Sequence, residues 1–212
     1  MDMKKIGGIV AAVLLVLVIL GRIISNPSRN GDSTVAASPA DQSSPDKWQV
    51  TETHSPMDDS KTVVLALDSD AVIQGPIGSD KPTLIVRCKE GKTQVYVATG
   101  MAASVEQDFD GGPSPDHTVR IRLDQSSALT DHWSESTDHK ALFASEIIYD
   151  QHGGIADVSG GAAAFATQLA NASTFTFQFT PFDGNPQTAR FDIRGLRDHL
   201  NKVADACGWH AD

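Results

Sequence analysis

Cysteine is scarce in this chain, and the common catalytic motifs are missing from it. The 212 residues hold two cysteines, Cys88 and Cys207, and no Cys-x-x-Cys pair, which excludes zinc knuckles and thioredoxin-like redox sites. Gly-x-Ser-x-Gly, His-Glu-x-x-His and P-loop patterns are also absent, and Ser159 has glycines only after it, which is typical of a loop. The sequence therefore predicts a protein that is not an enzyme, with no catalytic residue, no metal site and no cofactor.

Basic side chains are also scarce relative to acidic ones. The chain has 17 lysines and arginines against 27 aspartates and glutamates, which gives a formal net charge of −10. The residues before Lys47 contain as many basic as acidic side chains, so the whole excess lies in the rest of the chain. An acidic domain repels nucleic acid and anionic lipid headgroups. We therefore expect protein or small-molecule partners and no nucleic acid.

An unbroken run of apolar residues and glycine extends from Ile6 to Gly21 and is followed by Arg22 and two isoleucines. Roughly 20 residues span a bilayer, and residues 6–24 reach that length if the Arg22 side chain extends toward the headgroups. We predict that residues 1–24 are an uncleaved membrane anchor, while a cleaved signal peptide stays open as the alternative. The apolar positions of the predicted anchor include Ile6, Leu14, Leu20 and Ile24.

The two lysines before the apolar run, Lys4 and Lys5, are expected to stay in the cytoplasm, so the C-terminal part of the chain crosses the membrane. Residues 25–47 are rich in serine, proline, asparagine and alanine and contain almost no bulky apolar residue. They predict a flexible linker with a reach of about 25–30 Å. The remaining residues, 48–212, are numerous enough for one domain with a single core.

Alternation of apolar and polar residues with period two predicts strands with one buried face. The clearest examples are Thr174–Thr180, Val119–Leu123, Ala189–Ile193 and Val63–Leu67. In the stretch LIVRCKEGKTQVYV, the Glu90-Gly91 pair predicts a two-residue turn that pairs Val86 with Val95. Short strands with close turns predict a mainly β domain, either an antiparallel sandwich-like fold or a curled sheet.

Two helices are predicted within this pattern. One is the alanine-rich stretch that begins at Gly161. The other runs from about Leu196 to Cys207, carries an apolar stripe and is followed by Gly208, where a left-handed cap is favourable. We expect both helices to bury one face against the sheet.

The strand and helix repeats place both cysteines on faces that are predicted to point into the core. Cys88 shares the inward face of its strand with Val86, and Cys207 continues the apolar stripe of the last helix. Because an exported domain meets an oxidising compartment, we predict a Cys88–Cys207 disulfide that holds the last helix on the sheet, with Trp209 packed beside it. Two separate buried thiols remain the alternative.

Histidines and arginines supply the other candidate site residues. His132 and His139 flank the stretch WSESTD and form an alternative zinc pair with an acid as third ligand. Asp58 and Asp59 could bind calcium, but further oxygen ligands at the required spacing are missing. The basic positions on outward strand faces, as candidates for contact with a partner, are Arg120, Arg122, Arg190 and Arg194.

Taken together, segments of residues 48–212 resemble a known family, the type VI secretion system accessory proteins called TagO or VasI. The matching stretches, in chain order, are WQV at Trp48, MDDSKTVVLAL at Met57–Leu67, LIVRCKEGKTQVYV at Leu84–Val97, VRIRLD at Val119–Asp124, HWSESTDHKALF at His132–Phe143, FTFQFTPF, ARFDIRGL and the terminal ACGW. No single stretch is specific, but the ordered set covers nearly the whole predicted domain.

The resemblance implies an envelope protein of the type VI secretion apparatus, without catalytic residues of its own. Together with the predicted anchor, it implies a single-pass inner-membrane protein whose C-terminal domain lies in the periplasm and binds proteins of the secretion or cell-envelope machinery. Two alternatives stay open. One is a stand-alone envelope binding or inhibitor module unrelated to secretion, and the other is a metal-dependent hydrolase built on the histidines.

Overall fold

The structure, a computed structural model, describes residues 46–107, 110–145, 148–149, 155–157 and 161–211. The predicted anchor, residues 1–24, and nearly all of the predicted linker lie outside these ranges. Of the helices within them, none has both the length and the apolar character needed to cross a membrane.

The described residues form a mainly β domain with two helices, one of them C-terminal, as the sequence predicts. The strands are β1 (Gln49–His54), β2 (Lys61–Asp68), β3 (Ile73–Gly75), β4 (Gly78–Asp80), β5 (Thr83–Lys89), β6 (Lys92–Ala98), β7 (Asp116–Leu123), β8 (Leu129–Glu135), β9 (Ala141–Phe143), β10 (Ile148–Tyr149), β11 (Ile155–Asp157), β12 (Thr174–Phe179) and β13 (Gln187–Asp192). The helices are α1 (Gly161–Ala170) and α2 (Leu196–Cys207).

Within the described ranges, nine strands form one antiparallel sheet in the order β1-β2-β5-β6-β9-β8-β7-β12-β13. The short pairs β3-β4 and β10-β11 are separate hairpins. The predicted β5-β6 hairpin is confirmed, with Val86 opposite Val95. Its turn residues Glu90 and Gly91 have φ angles of 52° and 71°, the left-handed conformation that such a tight turn requires.

The sheet curls so that its two outer strands approach each other. At the start of β1, the indole N–H of Trp48 donates to the backbone oxygen of Ile193, just past the end of β13, at 3.4 Å. Beyond the end of β2, the backbone N–H of Asp70 donates to the backbone oxygen of Arg190 at 2.8 Å. These contacts leave an inward face that encloses the core.

The inward face holds a cluster of aromatic rings that accounts for much of the core. Trp133 and Phe177 lie with ring centroids 5.0 Å apart, and Phe175 stacks on Phe191 at 5.9 Å. Phe165 of α1 meets the Trp133 ring edge-on at 6.0 Å. Each of the four sheet rings is fully buried, so β8, β12 and β13 share one core with α1.

Helix α2 packs against the same core through its predicted stripe. Leu196, Leu200 and Val203 are buried. The helix ends at Gly208, whose φ of 73° and N–H bond to the backbone oxygen of Ala204 form the expected left-handed cap. Because α2 lies against β2 and β5, it covers the first half of the sheet, while α1 contacts β6.

Candidate functional site

The two cysteines meet across the interface between α2 and the sheet. The structure joins Cys88 and Cys207 in a disulfide with a Cα–Cα distance of 5.7 Å, across a sequence separation of 119. Cys88 is fully buried in β5, where Thr93 lies opposite it. The indole N–H of Trp209 donates to the Thr93 hydroxyl at 2.7 Å. The pair thus occupies a structural position beneath the last helix.

The alternative zinc pair is not brought together as a metal centre. His132 is exposed on the outer face of β8, opposite Thr118, while His139 contacts Glu135. Within the described part of the chain, no group of three or more histidine, cysteine, aspartate or glutamate side chains could hold a metal ion. Asp58 instead accepts hydrogen bonds from the Ser60 amide at 3.2 Å and hydroxyl at 2.8 Å.

A carboxylate that the sequence did not single out, Glu135 at the end of β8, joins three neighbouring segments. Its side chain is 12% exposed. Oε1 accepts the backbone N–H of Ala103 at 2.7 Å. Oε2 lies 3.7 Å from Nε2 of His117 and is also bonded to Nδ1 of His139. Hydrogen bonding to Glu135 and its negative charge raise the pKa of His139.

The other ring nitrogen of His117, Nδ1, bonds to the segment at residues 102–104. Nδ1 lies 2.9 Å from the backbone oxygen of Ser104, so that nitrogen carries the proton and donates. The backbone N–H of Ser104 in turn donates to the oxygen of Thr180 at 2.8 Å, and Phe182 donates to Ala102 at 2.9 Å. Glu135 and His117 therefore hold the segment at residues 102–104 against the chain that follows β12.

This arrangement creates an open apolar groove, which we call the Phe182 groove. It consists of two adjoining hollows of about 440 Å³ and about 220 Å³ that share Ala102 and Phe182. The first is bordered by Val105, with Glu135 and the two histidines of its cluster in the wall. The second is bordered by Ile77 in the β3-β4 turn.

Large apolar side chains on this groove face solvent. Ile77 is 97% exposed, Val105 is 62% exposed and Phe182 is 50% exposed. Such side chains gathered around one concave surface are typical of a protein interaction site. Among the described residues of the Glu135 cluster behind them, no hydroxyl or thiol is bonded to a histidine, and the side chains bond to backbone groups and to one another, which is typical of a structural support.

A third hollow, of about 640 Å³, adjoins the first at residues 135–137. Hydroxyl and amide side chains make up much of its wall, among them Thr93, Gln94, Ser134 and Ser136. It lacks the exposed apolar side chains of the Phe182 groove, so we regard the groove as the better candidate for binding a protein.

The four predicted contact arginines occupy two environments. Arg194 is bonded to Asp192 at 2.7 Å, and this hydrogen bond, against the opposing effect of burial, lowers the pKa of Asp192. Arg120, Arg122 and Arg190 lie on the outer face of the sheet, where the register brings them near one another. Arg194 therefore serves the local structure, while the other three form a separate surface.

Comparison with known proteins identifies the relationship. The model of a family described as "Type VI secretion system VasI, EvfG" matches residues 23–209, most of the chain. No curated protein and no solved structure matches.

Proposed function

The chain belongs to the type VI secretion system VasI family, and we propose that it works there as a non-enzymatic accessory protein that binds a protein partner in the Phe182 groove. Residues 1–24 tether it to the inner membrane, and the domain lies in the periplasm. The observation that carries the proposal is the set of exposed apolar side chains around the groove, Ile77, Val105 and Phe182.

Burial of these side chains provides the driving force for binding. A large apolar side chain contributes about 1.5–3 kcal/mol when it moves from water to a fully buried position. Phe182 is already half buried, so its ring is held in place before a partner arrives. A held side chain loses less entropy on binding than a mobile one.

The shape of the groove favours a protein over a small molecule. Small-molecule sites bury most of the ligand surface, whereas the three large apolar side chains at the border of this groove, Ile77, Val105 and Phe182, are half or more exposed. Asp80 lines the groove, and Asp183 follows Phe182 in the chain. A partner that presents an apolar side chain flanked by basic residues complements this surface.

Site-specific photo-crosslinking in cells with an active type VI system tests the proposal. A photoreactive residue replaces Val105 in the full-length chain, and the matched control replaces Lys89 at the exposed end of β5. We expect the Val105 probe to capture a component of the secretion apparatus and the Lys89 probe to capture none. Capture of the same proteins by both probes, or of an envelope protein with no part in secretion, contradicts the proposal.

A loss-of-function variant provides the second arm. Phe182→Ser removes the half-exposed ring and should reduce killing of target cells, while the stability measured in urea falls by no more than about 1.5 kcal/mol, half of the upper value for a fully buried ring. Lys89→Ser is the control for an exposed substitution elsewhere. Unimpaired killing by a Phe182→Ser strain that makes normal amounts of the protein would show that the groove is not the functional surface.

The tether has its own test. If residues 1–24 remain attached, protein from membranes keeps Met1 or its immediate neighbours and resists carbonate extraction. A mature N-terminus near Ser38 would instead identify a cleaved signal peptide.

A further inference from the structure

Three arginines form a basic surface on the outer side of the sheet, which we call the arginine face. Arg122 of β7 lies opposite Thr176 of β12, and Thr176 lies opposite Arg190 of β13. Arg120 lies two residues before Arg122 and therefore on the same face. Strand spacing places Arg122 and Arg190 about 10 Å apart and Arg120 and Arg122 about 7 Å apart at the backbone.

The positions directly opposite Arg120 on the two neighbouring strands are neutral. Arg120 has Thr130 on one side and Gln178 on the other. Arg190 forms an ion pair with Asp70 at 3.9 Å. Among the residues that the structure describes, Arg120 and Arg122 have neither a hydrogen-bond nor an ion-pair partner through their side chains. Within the described domain, the charges of Arg120 and Arg122 are therefore not compensated by an ion pair, while Arg190 is paired with Asp70.

Several lysines elsewhere on the domain differ from Arg120 and Arg122 because they lie in ion pairs. Ion pairs engage Lys47, Lys61, Lys81, Lys89 and Lys202 with nearby carboxylates. Like charges at neighbouring positions of a sheet destabilise it. Arg120 and Arg122 form no ion pair within the described domain, although the chain has ten more acidic than basic side chains. The positions of Arg120 and Arg122 are therefore better explained by binding of a partner than by stabilisation of the domain.

We propose that the arginine face is a second docking surface, which binds an acidic segment of a partner protein. Guanidinium groups bind carboxylates through two parallel hydrogen bonds, and three of them within about 10 Å engage several carboxylates at once. The immediate neighbours Thr130, Thr176 and Gln178 offer further hydrogen bonds but no ring on which a nucleobase or sugar could stack.

A protein segment fits this surface better than an anionic membrane does. A membrane extends far beyond the face and meets the negative potential of the rest of the domain, whose net charge is strongly acidic. A short acidic segment meets chiefly the charges close to the arginines, because screening in salt limits the range of repulsion from the rest of the domain to about 8 Å at 0.15 M. The inference does not depend on the Phe182 groove and holds even if the groove binds nothing.

Fluorescence anisotropy with a short labelled poly-L-glutamate peptide tests the inference on the full-length chain in neutral detergent. The test variant combines Arg120→Gln, Arg122→Gln and Arg190→Gln. The control combines Lys89→Gln, Lys92→Gln and Arg197→Gln, which changes the net charge equally at exposed positions elsewhere. We expect saturable binding by the wild type, a loss of about tenfold or more in the test variant, and little change in the control.

A second variant protects the test against a folding defect. Arg120→Gln with Arg122→Gln leaves the Arg190–Asp70 contact intact, so its urea melting curve should match that of the wild type while its affinity for the peptide falls. An equal loss of affinity in the control variant, or no binding by the wild type, overturns the proposal. Tighter binding to phosphatidylglycerol vesicles or polyphosphate than to the peptide also overturns it, because the face then recognises phosphate rather than protein carboxylates.

Discussion

Replacing Cys207 by serine should lower the stability of the domain by several kcal/mol without detaching α2 from the sheet. The disulfide closes a loop with a sequence separation of 119. Chain entropy for a loop of that length corresponds to about 5 kcal/mol at 25 °C, against a typical domain stability of about 5–15 kcal/mol. Retained structure in the unfolded chain reduces such values, so we expect a measured loss of about 2–5 kcal/mol.

The site of the substitution affects the result. Cys207 is partly buried, so serine there remains close to water. Cys88 is fully buried among apolar side chains, and Cys88→Ser adds the cost of a buried hydroxyl without a partner, about 1–3 kcal/mol. The double variant should resemble Cys88→Ser alone, because both single changes remove the same bond and their effects are not additive.

Urea denaturation of the three variants and the wild type measures these differences. Thiol counting on unfolded, alkylated wild-type protein establishes whether the bond is present before the melts are compared. The buried residues Leu196, Leu200 and Val203 keep α2 in place. Amide hydrogen exchange in the Cys207→Ser variant should therefore be faster than in the wild type mainly at the last turn of α2, including the Trp209 amide that bonds to the Ala204 oxygen. Two free thiols in the wild type, or additive losses in the double variant, would refute the reasoning.

Three further predictions concern the Glu135 cluster, the core and one turn. NMR titration should place the pKa of His139 above the ordinary value of about 6.5, because Glu135 bonds to it and is negatively charged, and Glu135→Gln should lower it. The stability from this contact should be present below about pH 6.5 and disappear as the pH rises through the raised pKa, which chemical melts across that range would detect. Phe177→Ala should destabilise the domain by about 3–5 kcal/mol in urea melts, because the ring is fully buried. Gly100→Ala should destabilise it by more than about 1 kcal/mol, because the residue has a φ of 72° and its new Cβ would overlap the Asp80 carboxylate; an unchanged melting curve would contradict this.

The local elements of the fold were predictable because their signals lie within short stretches of chain. Alternation in Val63–Leu67 and Thr174–Thr180 corresponds to β2 and β12, and the glycine in the β5-β6 turn sets the pairing of that hairpin. The weakest signal was that of β8, where Asp131 and His132 precede the buried Trp133 and Ser134 and Glu135 follow it. The sequence predicts no strand there, and burial of Trp133 is evident only from its packing against Phe165 and Phe177.

The Phe182 groove was not predictable in the same way. Phe182 and Val105 are far apart in sequence, and each alone is an ordinary apolar residue in a loop. Glu135 carries a faint signal, a histidine four residues later at His139. The contact with His117 depends on the pairing of β7 with β8, and alternation does not specify which strands become neighbours.

The sequence by itself determined the acidic charge, the strand and helix periods, the inward phase of Cys88 and the outward phase of Arg120 and Arg122. These properties follow from the two-residue and 3.6-residue repeats of the backbone, which act over a few residues. Only the tertiary structure decided that β9 lies between β6 and β8, that Arg190 completes the arginine face, and that loops from distant parts of the chain form the Phe182 groove. Such neighbours arise from long-range packing and strand register, whose free energy depends on the whole core at once and therefore leaves no local pattern in the sequence.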